Sequence, residues 1–81
     1  MPHIIVKLWT GRTEEQKTEL TNKIVKAVVE TVNVEEASVS VSFEEISSDR
    51  WAKEVYKPDI LEKEETLYKK PGYSYLECEL N

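Results

Sequence analysis

Residues 3–9, HIIVKLW, and residues 38–44, SVSVSFE, decide the fold. The first is rich in β-branched and aromatic side chains and reads as a strand. Ile4, Val6 and Leu8 share one face of it; Ile5, Lys7 and Trp9 share the other. The second alternates strictly, sending Val39, Val41 and Phe43 toward a core and Ser40, Ser42 and Glu44 away from it. Between them, Thr10-Gly11-Arg12 breaks the pattern as a loop does. Thr13-Glu14-Glu15-Gln16 then has the form of a capping box, with Thr13 as N-cap and Gln16 reaching back. Leu20, Ile24, Ala27, Val28 and Thr31 recur at helical spacing, giving one apolar stripe on a helix of about five turns. Asn33 suits its end. Two strands joined by one long helix make a βαβ unit, so the strands should be parallel and the crossover right-handed.

Further along, Ser47-Ser48-Asp49 offers caps for a short helix carrying Trp51 and Val55, which Lys57-Pro58 should stop. Asp59-x-x-Glu62 repeats the capping-box pattern ahead of Ile60, Leu67 and Tyr68. Lys69 and Lys70 suit the negative end of that second helix, and Pro71-Gly72 makes a turn. Residues 73–80 then read as a C-terminal strand, with imperfect alternation. The expected class is α+β: a βαβ unit, short additional helices and a last strand.

The chain has 81 residues and reads as a single domain over 1–81. A domain this short buries only about 60–65% of the surface its unfolded chain exposes. Cys78 is the sole cysteine, which excludes an intramolecular disulfide and fits a reducing cytosol. Self-association is the natural way to enlarge the core, and two parallel strands make a poor sheet alone, so a homodimer is expected. A net charge of −5 argues against nucleic acid, which asks for a basic face. No apolar run approaches the roughly 18 residues of a membrane span, and no signal peptide is evident. These features together point to the cytoplasm.

Motifs for chemistry are sparse. Two glycines leave no phosphate loop, and His3, the one histidine, has neither a catalytic triad nor a metal set around it. Glu14/Glu15, Glu44/Glu45 and Glu64/Glu65 are adjacent in sequence, so each pair diverges on a helix or strand. Neither a metal nor a cofactor is implied. Pro2 remains, directly after Met1 and directly before a strand. Proline is small enough there for Met1 to be excised, which leaves a free secondary amine with a basic lone pair. Burial in an apolar pocket and neighbouring cations lower the pKa of such an amine toward the range where a general base works best. Many proteins begin Met-Pro with no catalytic use of it, so Pro2 alone decides nothing.

Taken together, Pro2, the strand HIIVKLW, the loop Gly11-Arg12, the cap at residues 13–16 and the strand SVSVSFE resemble the 4-oxalocrotonate tautomerase family. The resemblance runs without gaps over roughly the first two-thirds of the chain. It implies an N-terminal proline as base, an arginine after the first strand that binds a substrate carboxylate, and an aromatic past the second strand that keeps the pocket apolar. The matching positions are Pro2, Arg12 and Trp51. The ending, with Trp51, Val55-Tyr56, Ile60 and the run KKPGYS at 69–74, is similar to a bacterial subgroup that forms dimers rather than hexamers.

One position departs from the family pattern. Where its best-known members carry a second arginine, in the second strand, this chain has Ser40. That arginine holds the oxygen end of a dicarboxylate, so its loss puts a dicarboxylate substrate in doubt. Arg50, beside Trp51, is a candidate replacement, its plainer reading being a solvated arginine on a short helix. The resemblance implies a cofactor-independent isomerase that interconverts enol and keto forms of a small 2-hydroxydienoate, enol or 2-oxo acid. The rival readings are another Pro2-dependent reaction, hydration or dehalogenation, and a non-catalytic dimeric binding module of the same fold.

Overall fold

A computed structural model describes residues 1–81. Two strands, β1 (His3–Trp9) and β2 (Ser40–Ile46), form one sheet, and the helix α1 (Glu14–Val28) lies between them in sequence. Contacts across the pair advance in step. The Ser40 N–H donates to the Pro2 carbonyl at 3.2 Å, His3 meets Ser40, and Lys7 pairs with Glu44. Four residues further along one strand are four further along the other, so the strands are parallel, as a long helical connection demands. β2 starts and ends two residues later than its alternation suggests. The reason is a 3₁₀ turn, Glu36–Ser38, closed by the Ser38 hydroxyl on the Glu35 carbonyl at 2.8 Å, which takes up the residues before it.

α1 begins where its sequence says. The Thr13 hydroxyl accepts from the Gln16 N–H at 3.0 Å, and the Gln16 side-chain oxygen accepts from the Thr13 N–H at 3.0 Å. After Val28 the helix widens into a π-helical turn, Val29–Asn33, and Asn33 ends it at φ 62°, the left-handed conformation asparagine tolerates. Its half-buried residues are Lys17, Thr21, Ile24, Val25 and Val28, whereas Ala27 and Thr31 face solvent. The inner face is thus rotated from the stripe the apolar residues outline. Lys17 makes this possible by burying its stem and reaching out with its ammonium to Glu45 at 3.1 Å and Glu14 at 3.4 Å. The hydrogen bond that the Lys17 ammonium donates to Glu45, followed by the attraction of Glu14, holds the Lys17 pKa above its usual value. Because the cap satisfies otherwise orphaned N–H groups, Thr13→Ala is expected to cost about 1 kcal/mol. Thermal unfolding should register this as a Tm lower by roughly 4–8 °C; an unchanged Tm would show that the cap contributes nothing.

Contacts divide the chain into two compact units, Met1–Glu45 and Ile46–Asn81. The first holds the βα part and most of β2. All four buried apolar residues, Ile46, Ala52, Val55 and Tyr56, belong to the second. Its helix, Ala52–Ile60, is wound with π-type bonds and does not stop at Lys57-Pro58. In an α-helix the Pro58 ring would strike the carbonyl four residues back; the wider winding moves that carbonyl away. Asp59 therefore lies within this helix rather than at the N-cap of a second one, a place taken by Ile60. Next comes a 3₁₀ stretch, Leu61–Thr66, broken at Lys63, and Tyr68 is fully exposed instead of helical. The expected C-terminal strand is absent: residues 73–80 contain only a 3₁₀ turn, Glu77–Glu79. Tyr73 and Tyr75 spend their alternation on a three-ring cluster with Tyr56, at centroid separations of 5.7, 5.1 and 5.9 Å.

Candidate active site

Pro2 sits half-buried at the mouth of β1, with its carbonyl fixed by the Ser40 N–H. His3 comes next, exposed, with Nδ1 2.6 Å from Ser40 Oγ. Parallel register does this: it sets the first residues of β1 against the first residue of β2. Pro2, His3 and Ser40 are therefore one corner of the sheet, and the sequence alone joins only two of them to a site. Strand phase gives only the face, turned away from the apolar set, that His3 and Ser40 share; the register that joins them is seen in the structure. Met1 is fully exposed, and while it is attached the Pro2 nitrogen is a non-basic amide.

Arg12 is at the other end. Gly11, at φ 112°, turns the chain out of β1 in a conformation only glycine adopts freely. Arg12 then lines a cleft of about 120 Å³ with Leu8, Gln16, Lys17, Leu20 and Phe43. Its lining thus combines three apolar side chains with the Arg12 guanidinium and the Lys17 ammonium, the latter already paired with Glu14 and Glu45. From Pro2 to Trp9 the strand advances by roughly 23 Å, at about 3.3 Å per residue, which no arginine side chain spans. One copy of the chain does not bring the proposed base and the proposed carboxylate holder together. A wider groove of about 370 Å³, between Asn22, Val25, Lys26, Val29, Glu30 and Glu36, contains none of the expected site residues.

Within the second unit Trp51 is half-buried and donates its indole N–H to the Tyr73 hydroxyl at 2.9 Å. Tyr73 is in turn held by the ring cluster, so the indole is oriented by a residue 22 positions away. Arg50 is exposed; its Nε donates to Ser47 Oγ at 3.1 Å and pairs with Glu54 at 3.4 Å. The Ser47 hydroxyl also keeps the Asp49 carboxyl below its ordinary pKa, ahead of a bond from its own backbone N–H and the charge of Arg50.

Comparison with known proteins gives the family. Residues 2–56 match the family model described as tautomerase enzyme. A probable tautomerase of Xylella fastidiosa is 38% identical over 76 residues, covering 94% of this chain and 93% of that protein. Tautomerase PptA of Pectobacterium carotovorum is 42% identical over 76 residues, covering 93% of this chain and 100% of its own. Among solved structures, YwhB, a homologue of 4-oxalocrotonate tautomerase, superposes with a TM-score of 0.58 at 42% identity, over 59% of this chain and 79% of its own. A trans-3-chloroacrylic acid dehalogenase superposes with a TM-score of 0.56 at 26% identity, over 58% and 89%. A single family model spanning both strands and α1, with relatives matched over nearly their whole length, places this chain in the 4-oxalocrotonate tautomerase family.

Proposed function

We propose that the protein is a cofactor-independent tautomerase acting on a small enol or 2-oxo acid, with the Pro2 amine, freed by removal of Met1, as its general base. The neutral amine takes the enol proton, and its conjugate acid returns a proton to a carbon of the same substrate. One group alternating as base and acid needs no metal or cofactor. Arg12 holds the carboxylate bidentately. Trp51, as an apolar wall, and Arg50, as a second cation, enter on the family resemblance. With Ser40 where the family's second arginine stands, an acid with a single carboxylate suits the site better than a dicarboxylate. The lone exposed Cys78 fits a reducing cytoplasm.

The observation that carries this reading is the separation of Pro2 and Arg12 along β1. A homodimer resolves it: two copies about a twofold axis run their strands antiparallel, bringing the Arg12 end of one to the Pro2 end of the other. The same pairing extends a two-stranded sheet that is marginal alone. The test is complementation. Pro2→Ala and Arg12→Ala chains, each impaired alone, are denatured together and refolded as a mixture. Random pairing should regenerate about a quarter of the wild-type sites, each with Pro2 from one copy and Arg12 from the other. A mixture no more active than its parents, or a monodisperse monomer by light scattering that turns over at full rate, would overturn the shared site.

A further inference from the structure

The His3 imidazole is the one chemically versatile side chain at the Pro2 corner that the mechanism leaves unused. Its Nδ1 is hydrogen-bonded to Ser40 Oγ at 2.6 Å, and the backbone N–H of the same Ser40 is bonded to the Pro2 carbonyl. Ser40 thus ties together the residue proposed as base and the ring next to it. His3 is exposed, and its bond to Ser40 engages only one of its two ring nitrogens.

We propose that His3, oriented by Ser40, is a catalytic residue that donates a hydrogen bond from Nε2 to the substrate oxygen on which negative charge develops. This rests on the reading of Pro2 as base. When Pro2 removes the enol proton, the O–H electron pair stays on oxygen. The charge passes to carbon only as the conjugate acid delivers its proton there. A donor waiting at that oxygen lowers the barrier because it is already oriented. In the proposed tautomer the Ser40 hydroxyl donates to Nδ1, so the ring proton resides on Nε2. Where an arginine in the second strand would meet the oxygen directly, the serine at this position acts one residue removed, through the imidazole. A neutral donor in place of a cation also matches a substrate that brings one carboxylate rather than two.

The experiment is steady-state kinetics on phenylenolpyruvate, with Met1-free protein whose fold is checked by circular dichroism. His3→Ala should lower kcat by roughly 10²-fold, as loss of one oxyanion donor does, and leave KM within about twofold. Ser40→Ala should lower kcat about tenfold or less, the worth of one orienting hydrogen bond, and Ser40→Thr should restore it. The double variant should be no slower than His3→Ala, because the two act as one unit. Two amides separate a donor from a structural prop. His3→Gln places its amide N–H near the Nε2 position and should recover much of the rate. His3→Asn reaches only the Nδ1 position and should not. Recovery by Asn and not by Gln, or a rise in KM alone, would overturn the inference. Pro2→Ala is measured in parallel. If it is inactive while His3→Ala is fully active, only the role of His3 falls; if it is fully active, the reading of Pro2 falls first.

Discussion

Pro2→Ala should lower kcat/KM by roughly 10²-fold or more, the range for loss of a positioned general base, with the fold intact. Only the backbone of Pro2 takes part in the sheet, through the carbonyl that receives the Ser40 N–H, and alanine keeps that carbonyl. The substitution therefore changes the amine and little else. The residual rate belongs to the primary amine that alanine leaves behind. Retaining Met1 should be at least as damaging, since the Pro2 nitrogen is then an amide and the nearest amine is one residue away on a fully exposed methionine. A displacement of about 1 Å already costs on the order of 10²-fold in a positioned reaction. Mass spectrometry to define the N-terminus, with one enol assay, compares the forms. Equal turnover with and without Met1 would remove the Pro2 amine from the mechanism.

Arg12→Ala should cut kcat/KM for acidic enols by roughly 30- to 1,000-fold, as loss of a charged hydrogen-bonding partner from a substrate-filled site does. Neutral enols should lose much less. The side chain faces a cleft rather than supporting a strand, so thermal stability should change little. Lys17 is the one other cation lining that cleft, but Glu14 and Glu45 already hold its ammonium, so it is a poor substitute for the guanidinium. Equal losses for acidic and neutral substrates would make Arg12 structural instead.

The parts of the fold that were legible in the sequence are those written in short-range code. The period-2 runs of β1 and β2 and the Thr13 to Gln16 cap each complete themselves within a few residues, and each is present. The misreadings come from longer-range causes. Tyr73 and Tyr75 alternate as a strand would, yet their rings are claimed by Tyr56, and no third strand lies in the sheet to pair with. Pro58 looks like a stop and is passed by a wider winding. The stripe drawn through Ala27 and Thr31 misses the inner face of α1, which includes Lys17 because only its ammonium needs to reach the carboxylates. The gap between Pro2 and Arg12 could have been counted from strand rise; the contact of His3 with Ser40 could not, since it depends on how two distant segments register.

That register has a kinetic side. The residues that meet at the Pro2 corner are 37 positions apart, so their contact closes a long loop and is slow to form by search alone. The capped helix α1 lies inside that loop, so any turns of it that form early shorten the search. The strands then have few ways to dock, and a slip of one residue would turn Ser40 to the opposite face and part it from His3. Strand register and the His3–Ser40 contact thus stand or fall together: a molecule with the right pairing has the imidazole against Ser40.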